Sequence, residues 1–259
     1  MLILLPPSEG KAVPRRGASL DLTALSAPGL TPARTAVLEA LVALCRGDHA
    51  TAAATLGVPA TQPELVDLNA RLATAPTARA DAIYTGVLYD ALGAASLSTS
   101  AKRRAATRVA VTSSLFGVVR FGDRIPSYRL SGDAVLPGLG GVAAHWRAHL
   151  GPAVEELLGG GLLVDLRSTT YTAFWRPPAA LASRTATVRV LQETDGRRSV
   201  VSHFNKATKG RIVRALLEHG AAPRTPVALA TALRDLGWHV ELGEPGAKGT
   251  QLDVVVTEV

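Results

Sequence analysis

Val142-Ala-Ala-His-Trp-Arg-Ala-His-Leu-Gly-Pro-Ala-Val-Glu-Glu-Leu-Leu-Gly-Gly-Gly-Leu-Leu-Val-Asp-Leu166 decides the fold class. Val142–Leu158 reads as a helix, the triple glycine Gly159–Gly161 stops it, and Leu162–Leu166 is an apolar run of strand length. The same alternation extends both ways. Upstream, Leu2–Leu5 reads as a short buried strand, and Pro32–Cys45 as a helix with Thr31 at its cap. Pro63–Leu72 begins as another helix, and a basic helical stretch, Ser100–Thr107, leads into the β-branched Val109–Thr112. Downstream, Thr185–Leu191 and Ser199–Phe204 flank Asp195-Gly196, the strongest hairpin signal in the chain. Helices are then expected over Asn205–His219, capped by Asn205, and over Pro226–Leu236, with closing strands at His239–Leu242 and Leu252–Thr257. The pattern is that of an α/β (mixed α+β) protein, a single compact unit with a mixed sheet and helices around it. No Pro/Ser-rich linker divides residues 1–259, although a helical lobe at about 30–107 is compatible with the spacing.

The chain has 259 residues, 47% of them hydrophobic, enough for a sizeable core. The apolar start Met1–Leu5 is stopped by Pro6-Pro7, which argues against a signal peptide or membrane span and for a cytoplasmic protein. Cys45, the single cysteine, cannot form an intramolecular disulfide and falls in an apolar helical run, so plain packing is expected.

Net charge is +7, and its placement matters more than its size. Residues 101–130 hold Lys102, Arg103, Arg104, Arg108, Arg120, Arg124 and Arg129 against Asp123 alone; residues 197–214 hold Arg197, Arg198, Lys206, Lys209, Arg211 and Arg214 against no acid. The rest of the chain is therefore mildly acidic. Two concentrated basic segments point to a polyanionic partner, nucleic acid or a phosphorylated small molecule; the alternative is a solvated, arginine-rich surface. On the 205–219 helix, Lys206 and Lys209 share the phase of the apolar stripe Ile212, Val213, Leu216 and Leu217, whereas Arg211 and Arg214 are sent toward solvent. Cations in a first helical turn oppose the helix dipole unless an anion sits there.

No P-loop, dinucleotide fingerprint, HExxH or GxSxG is present. His145 and His149 are spaced i, i+4 on one helix, but with no placed third ligand they read as solvated or capping histidines; no metal and no cofactor are expected.

Ser113-Ser-Leu-Phe-Gly-Val-Val-Arg-Phe-Gly-Asp-Arg-Ile-Pro-Ser-Tyr-Arg-Leu130 leaves a strand and gathers Arg120, Asp123, Arg124, Tyr128 and Arg129 around Gly117, Gly122 and Pro126, which makes it a shaped, polar loop. This segment resembles the S-G-L-Y-G-V-L-R-P-x-D-x-x-x-P-Y-R-L of the YaaA family of peroxide-stress proteins. It matches at Ser114, Leu115, Gly117, Val118, Arg120, Asp123, Tyr128, Arg129 and Leu130, and departs at Phe116, Phe121 and Ser127. Further similarities follow in the same order along the chain. Leu2–Lys11 resembles the I-L-I-S-P-A-K opening, with Lys11 in place of its lysine. Tyr84-Thr-Gly86 matches Y-T-G, and Trp146 the tryptophan before the central helix. Asp165–Tyr171 resembles N-L-A-S-x-E-Y with Thr170 in place of the acid. Lys206–Gly210 resembles K-x-A-R-G with Lys209 in place of the arginine.

The resemblance implies a positively charged cleft, binding to double-stranded or distorted DNA, and protection of DNA during peroxide stress. On that reading Arg103, Arg104, Arg197 and Arg198 are peripheral phosphate contacts with little sequence readout. An enzyme acting on a nucleotide, nucleobase or modified DNA base is the competing hypothesis. Lys11, Tyr84, Arg120, Asp123, Tyr128, Arg129, Lys206 and Lys209 would then converge on one pocket, with Lys11 as nucleophile or Schiff base, Asp123 as general acid/base and the arginines on phosphate. A third possibility is that Arg120, Asp123 and Arg129 merely form an internal ion-pair network that holds the loop.

Overall fold

A computed structural model describes residues 1–194, 197–199 and 202–257. Eight strands form one mixed sheet: β1 (Leu2–Leu5), β2 (Val109–Ser113), β3 (Gly117–Arg120), β4 (Leu163–Asp165), β5 (Thr185–Thr194), β6 (Arg197–Ser199), β7 (His239–Gly246) and β8 (Gly249–Val256). Their order is β7-β8-β5-β4-β1-β2-β3, with β6 also paired to β5. The run β8-β5-β4-β1-β2 is parallel, while β3, β6 and β7 are antiparallel additions. Every residue of β1, β2 and β4 is buried, as expected of parallel strands covered on both faces. This is why Leu-Ile-Leu-Leu and Val-Ala-Val-Thr-Ser read as continuous rather than alternating runs.

Eight helices carry most of the cover: α1 (Thr31–Arg46), α2 (His49–Leu56), α3 (Glu64–Ala70), α4 (Val87–Leu92), α5 (Thr99–Arg108), α6 (Val142–Leu158), α7 (Ser202–His219) and α8 (Pro226–Asp235). The segment 30–107 contributes Val37, Leu41, Ile83 and Leu92 to the same contiguous cluster of buried apolar residues as Leu2–Leu5 and Val254. Packing between α4 and α7 is close: a Cβ on Gly210 would lie 2.2 Å from the Leu88 carbonyl oxygen.

Several boundaries differ from the sequence reading. Thr31 is the first residue of α1 and not its cap, and α3 ends at Ala70. Helix α7 begins at Ser202, so Asn205 lies inside it; of the strand expected over Ser199–Phe204, Ser199 ends β6, residues 200 and 201 lie outside the described residues, and Ser202–Phe204 are helical. Asp195-Gly196 lies outside the described residues, and on either side of it Thr194 and Arg197 pair antiparallel.

The connectivity locates a crevice. From β1 the chain crosses to β2 on one side, and it later returns to β4 on the other. Between β1 and its two neighbours the outgoing connections diverge, and open parallel sheets hold ligands in the crevice outside the carboxyl ends of strands at such a switch point.

Candidate functional site

A cavity of about 500 Å³ opens at this place, within the size range of small-molecule sites. The loop that leaves β1, Pro6–Lys11, forms one wall; Thr85–Tyr89 at the start of α4, Arg129–Asp133, Ser168–Tyr171 after β4, and Lys206 of α7 form the others. Five of the segments singled out in the sequence thus converge although they are separated by up to 200 residues.

Lys11 is seated against aromatic faces. Its Nζ lies 4.3 Å from the centroid of Tyr128 and 5.7 Å from that of Tyr84, and donates to the Ser8 carbonyl at 2.7 Å. An isolated backbone bridge between Lys11 and Tyr84 fixes the pairing of the two segments. Among the described residues no carboxylate lies within ion-pair distance of Nζ. Burial, helped by the Arg129 charge and opposed by Glu9, lowers the Lys11 pKa from the usual lysine range to about 7. The amine is therefore half neutral near physiological pH.

Beneath Lys11 runs a chain of buried hydroxyls. Tyr84 and Tyr128 share a hydrogen bond at 3.2 Å, Tyr128 and Ser113 one at 2.8 Å, and Ser113 Oγ accepts from the Phe116 N–H at 3.0 Å. Ser113 is the last residue of β2, so the strand itself aims it. Tyr89 stacks on Tyr84 at 5.4 Å and donates to the Pro6 carbonyl at 2.7 Å. Desolvation pushes the Tyr84, Tyr89 and Tyr128 hydroxyls above the ordinary tyrosine range, as it does Tyr171. All four are neutral donors at pH 7.

Arg129 is oriented by its backbone: Asn69, fully buried, donates Nδ2 to the Arg129 carbonyl at 2.7 Å and accepts from the Arg129 N–H at 2.9 Å. Its guanidinium meets Glu9 only at 3.8 Å. The buried Nε has no hydrogen-bond acceptor among the described residues. Buried guanidinium donors are normally satisfied, so Arg129 stands in the cavity wall with one N–H unpaired inside it. Asp133, which accepts from the Ser131 hydroxyl, is held below the usual carboxylate range by that bond.

Other residues picked out in the sequence lie elsewhere. Arg120 and Asp123 do not line the cavity. Asp123 accepts from the Ser26 N–H at 3.1 Å, the Ser26 hydroxyl at 2.8 Å and the Arg120 N–H at 2.8 Å, while the Arg120 guanidinium donates to the Thr107 carbonyl. They hold the loop through backbone groups and not through an ion-pair network: among the described residues Arg120 and Asp123 form no side-chain pair. Arg129 belongs to the cavity instead. Lys206 lines it, but Lys209 donates to the Leu166 carbonyl at 3.3 Å and is lowered in pKa by burial, with Asp165 opposing.

The basic segments are largely engaged with the protein's own backbone. Arg104 donates to the carbonyls of Leu217 and Glu218, and Arg108 to those of Gly220 and Ala221, so both cap the end of α7. Arg214, expected toward solvent, instead donates to the carbonyls of Leu92, Gly93 and Ser96 at the end of α4. Arg124 donates to the Thr77 carbonyl, and Arg198 pairs with Glu193 and Glu241. Arg103, Arg197 and Arg211 are exposed. His145 and His149 stack at 4.7 Å and bond backbone carbonyls.

Glu9, Tyr89, Ser131, Asp133 and Tyr171 complete the cavity and were not singled out for a role in the sequence. Asp133 follows the matched loop by three residues, and Tyr89 follows Tyr84 by five; proximity to a motif is the only signal they carry.

A family model described as peroxide stress protein YaaA matches residues 1–241. A UPF0246 protein of Streptomyces coelicolor is 55% identical over 261 residues, covering all of both chains. Another, from Corynebacterium efficiens, is 43% identical over 258 residues, 98% of this chain and all of the relative. A third, from Corynebacterium glutamicum, is 42% identical over 218 residues, 83% of this chain and 84% of the relative.

Proposed function

Because the chain belongs to the family of peroxide stress protein YaaA, we propose that it serves in peroxide stress by taking one phosphorylated nucleotide unit, free or within distorted DNA, into the cavity beside β1. The carrying observation is that two cations, Arg129 and Lys206, line one cavity, with Arg129 meeting a carboxylate only at 3.8 Å. An arginine fork matches phosphate oxygens in geometry as well as charge. Tyr89 and Tyr171 on the same walls offer apolar faces of the kind on which bases stack. DNA held in this way would be engaged through one displaced nucleotide, which is the form in which the DNA-protecting role implied by the resemblance fits the site. An extended basic face is the weaker alternative, since Arg104, Arg108, Arg124 and Arg198 already hold carbonyls or carboxylates.

Titrating a nucleoside monophosphate and a duplex carrying one unpaired nucleotide at several salt concentrations tests the proposal. Two phosphate-facing cations give a slope of log K against log salt near about −2, whereas an extended face with six or more contacts gives roughly −5 or steeper. Arg129→Ala should weaken both ligands about tenfold or more. Absence of monophosphate binding, or a steep duplex slope indifferent to Arg129→Ala, overturns the pocket.

A further inference from the structure

Lys11 is built unlike a lysine that serves as a charge. Structural lysines pair with carboxylates or extend into water; this one lies over two tyrosine rings, near the Arg129 charge, with the backbone carbonyls of Ser8 and Glu9 as its acceptors and the cavity in front. We propose that Lys11 is an amine nucleophile that condenses, as a Schiff base, with the carbonyl carbon of a small aldehyde or ketone carrying a phosphate group. The phosphate half of this inference rests on the anion reading of Arg129 and Lys206 given above; the carbonyl half rests on Lys11 alone.

The step balances without a further reagent. The Nζ lone pair forms a C–N bond as the C=O π bond opens, and the nitrogen's proton passes to the oxygen to give a carbinolamine. One further proton on that oxygen releases water and leaves the protonated imine. Glu9 and Asp133 are the carboxylates of the cavity that can carry these protons, and Asp133 is the one held ionised by a hydroxyl. The aromatic faces of Tyr84 and Tyr128 suit both the neutral amine and the cationic imine that follows. Lys11 is about half neutral at pH 7, whereas an unperturbed lysine is neutral there in only about one molecule in 3000.

The phosphate-bearing aldehyde has two sources, a free phosphosugar or a DNA strand whose deoxyribose has lost its base. Reductive trapping separates them. The protein is incubated at pH 7 with cyanoborohydride and either glycolaldehyde phosphate or a duplex containing one aldehydic abasic site, and adducts are located by peptide mass mapping. A single adduct at Lys11, formed at least tenfold faster than on Lys102 or Lys248, is expected with one or both probes; whichever labels names the source. Lys11→Arg, which keeps the cation, should abolish it, and Lys11→Met with an unchanged circular dichroism spectrum should do the same. Unphosphorylated glycolaldehyde should label Lys11 at least tenfold more slowly, and inorganic phosphate should protect. Labelling should fall about tenfold per pH unit below pH 7. No adduct at Lys11 with either probe, or adducts spread evenly over surface lysines, overturns the inference. If the nucleoside monophosphate still binds the same preparation in that case, only the Schiff base fails; if neither is seen, the pocket reading fails with it.

Discussion

Gly210→Ala sets two effects of known sign against each other. Within a helix, alanine is favoured over glycine by roughly 1 kcal/mol, and Gly210 is an interior residue of α7 with no positive φ to preserve. At this position the new methyl carbon would lie 2.2 Å from the Leu88 carbonyl oxygen and 3.0 Å from both the Leu88 neighbour Leu92 N and Ala91 Cβ. An ordinary carbon contact needs about 3.5 Å, so α4 must retreat by about 1 Å. The nearest obstacle is backbone, which no rotamer change relieves. Overpacking of this kind costs about 1–3 kcal/mol beyond the propensity gain, and retreat of α4 also strains the Arg214 bonds to Leu92 and Gly93. For a chain of this size the expected fall in Tm is roughly 3–10 °C. Since α4 carries Tyr89 and its N-terminal end forms a cavity wall, nucleotide affinity should fall with it. Calorimetry and a monophosphate titration check the two outcomes. A variant as stable as the parent, or more so, would refute the view that glycine is there to let the helices touch.

Asp123→Asn should lower stability by about 1–3 kcal/mol in urea titration, because two backbone N–H groups and a hydroxyl lose a charged acceptor, while Lys11 trapping continues at the parental rate; a selective loss of trapping would restore Asp123 to the chemistry. The depressed Lys11 also makes stability depend on pH. Its native pKa of about 7 lies below the unfolded value of 10.5, so between these values the unfolded chain holds a proton the native one lacks, and stability rises with pH in that window. Relative to Lys11→Met, the parent should gain at most about 1.4 kcal/mol per pH unit between pH 7.5 and 9, less where solvent screens the charge, in paired denaturant titrations; a flat difference would contradict it.

The elements that could be read from sequence are those whose signal is local. Val142–Leu158 matches α6 to the residue, and the apolar runs at 2–5 and 109–112 lie in the parallel centre of the sheet because burial on both faces leaves no polar alternation to confuse them. What was illegible is where long side chains end. Helical phase placed Lys206 and Lys209 together, yet Lys206 reaches the cavity and Lys209 stops at Leu166, a difference set by the neighbouring strand β4. Arg34 gave no signal at all, although it is fully buried and donates to the carbonyls of Ser26, Ala27, Phe116 and Val118, bracing the 113–130 loop from beneath. Arginine density in 101–130 and 197–214 was legible as charge, but whether a guanidinium faces a phosphate or a helix end depends on tertiary contacts that composition cannot encode.

The position of β1 at the middle of the sheet has a kinetic consequence. Its four residues pair with Val109–Val111 on one side and Leu163–Asp165 on the other, so both pairings wait for residues made much later in the chain. At roughly 5–20 residues per second, Leu-Ile-Leu-Leu waits several seconds for its partners, and the walls that face the Lys11 loop arrive in turn: Thr85–Tyr89, Arg129–Asp133, Ser168–Tyr171 and last Lys206. The cavity is therefore complete only once α7 has been made, and until then the apolar tetrapeptide at its base stands without its full cover.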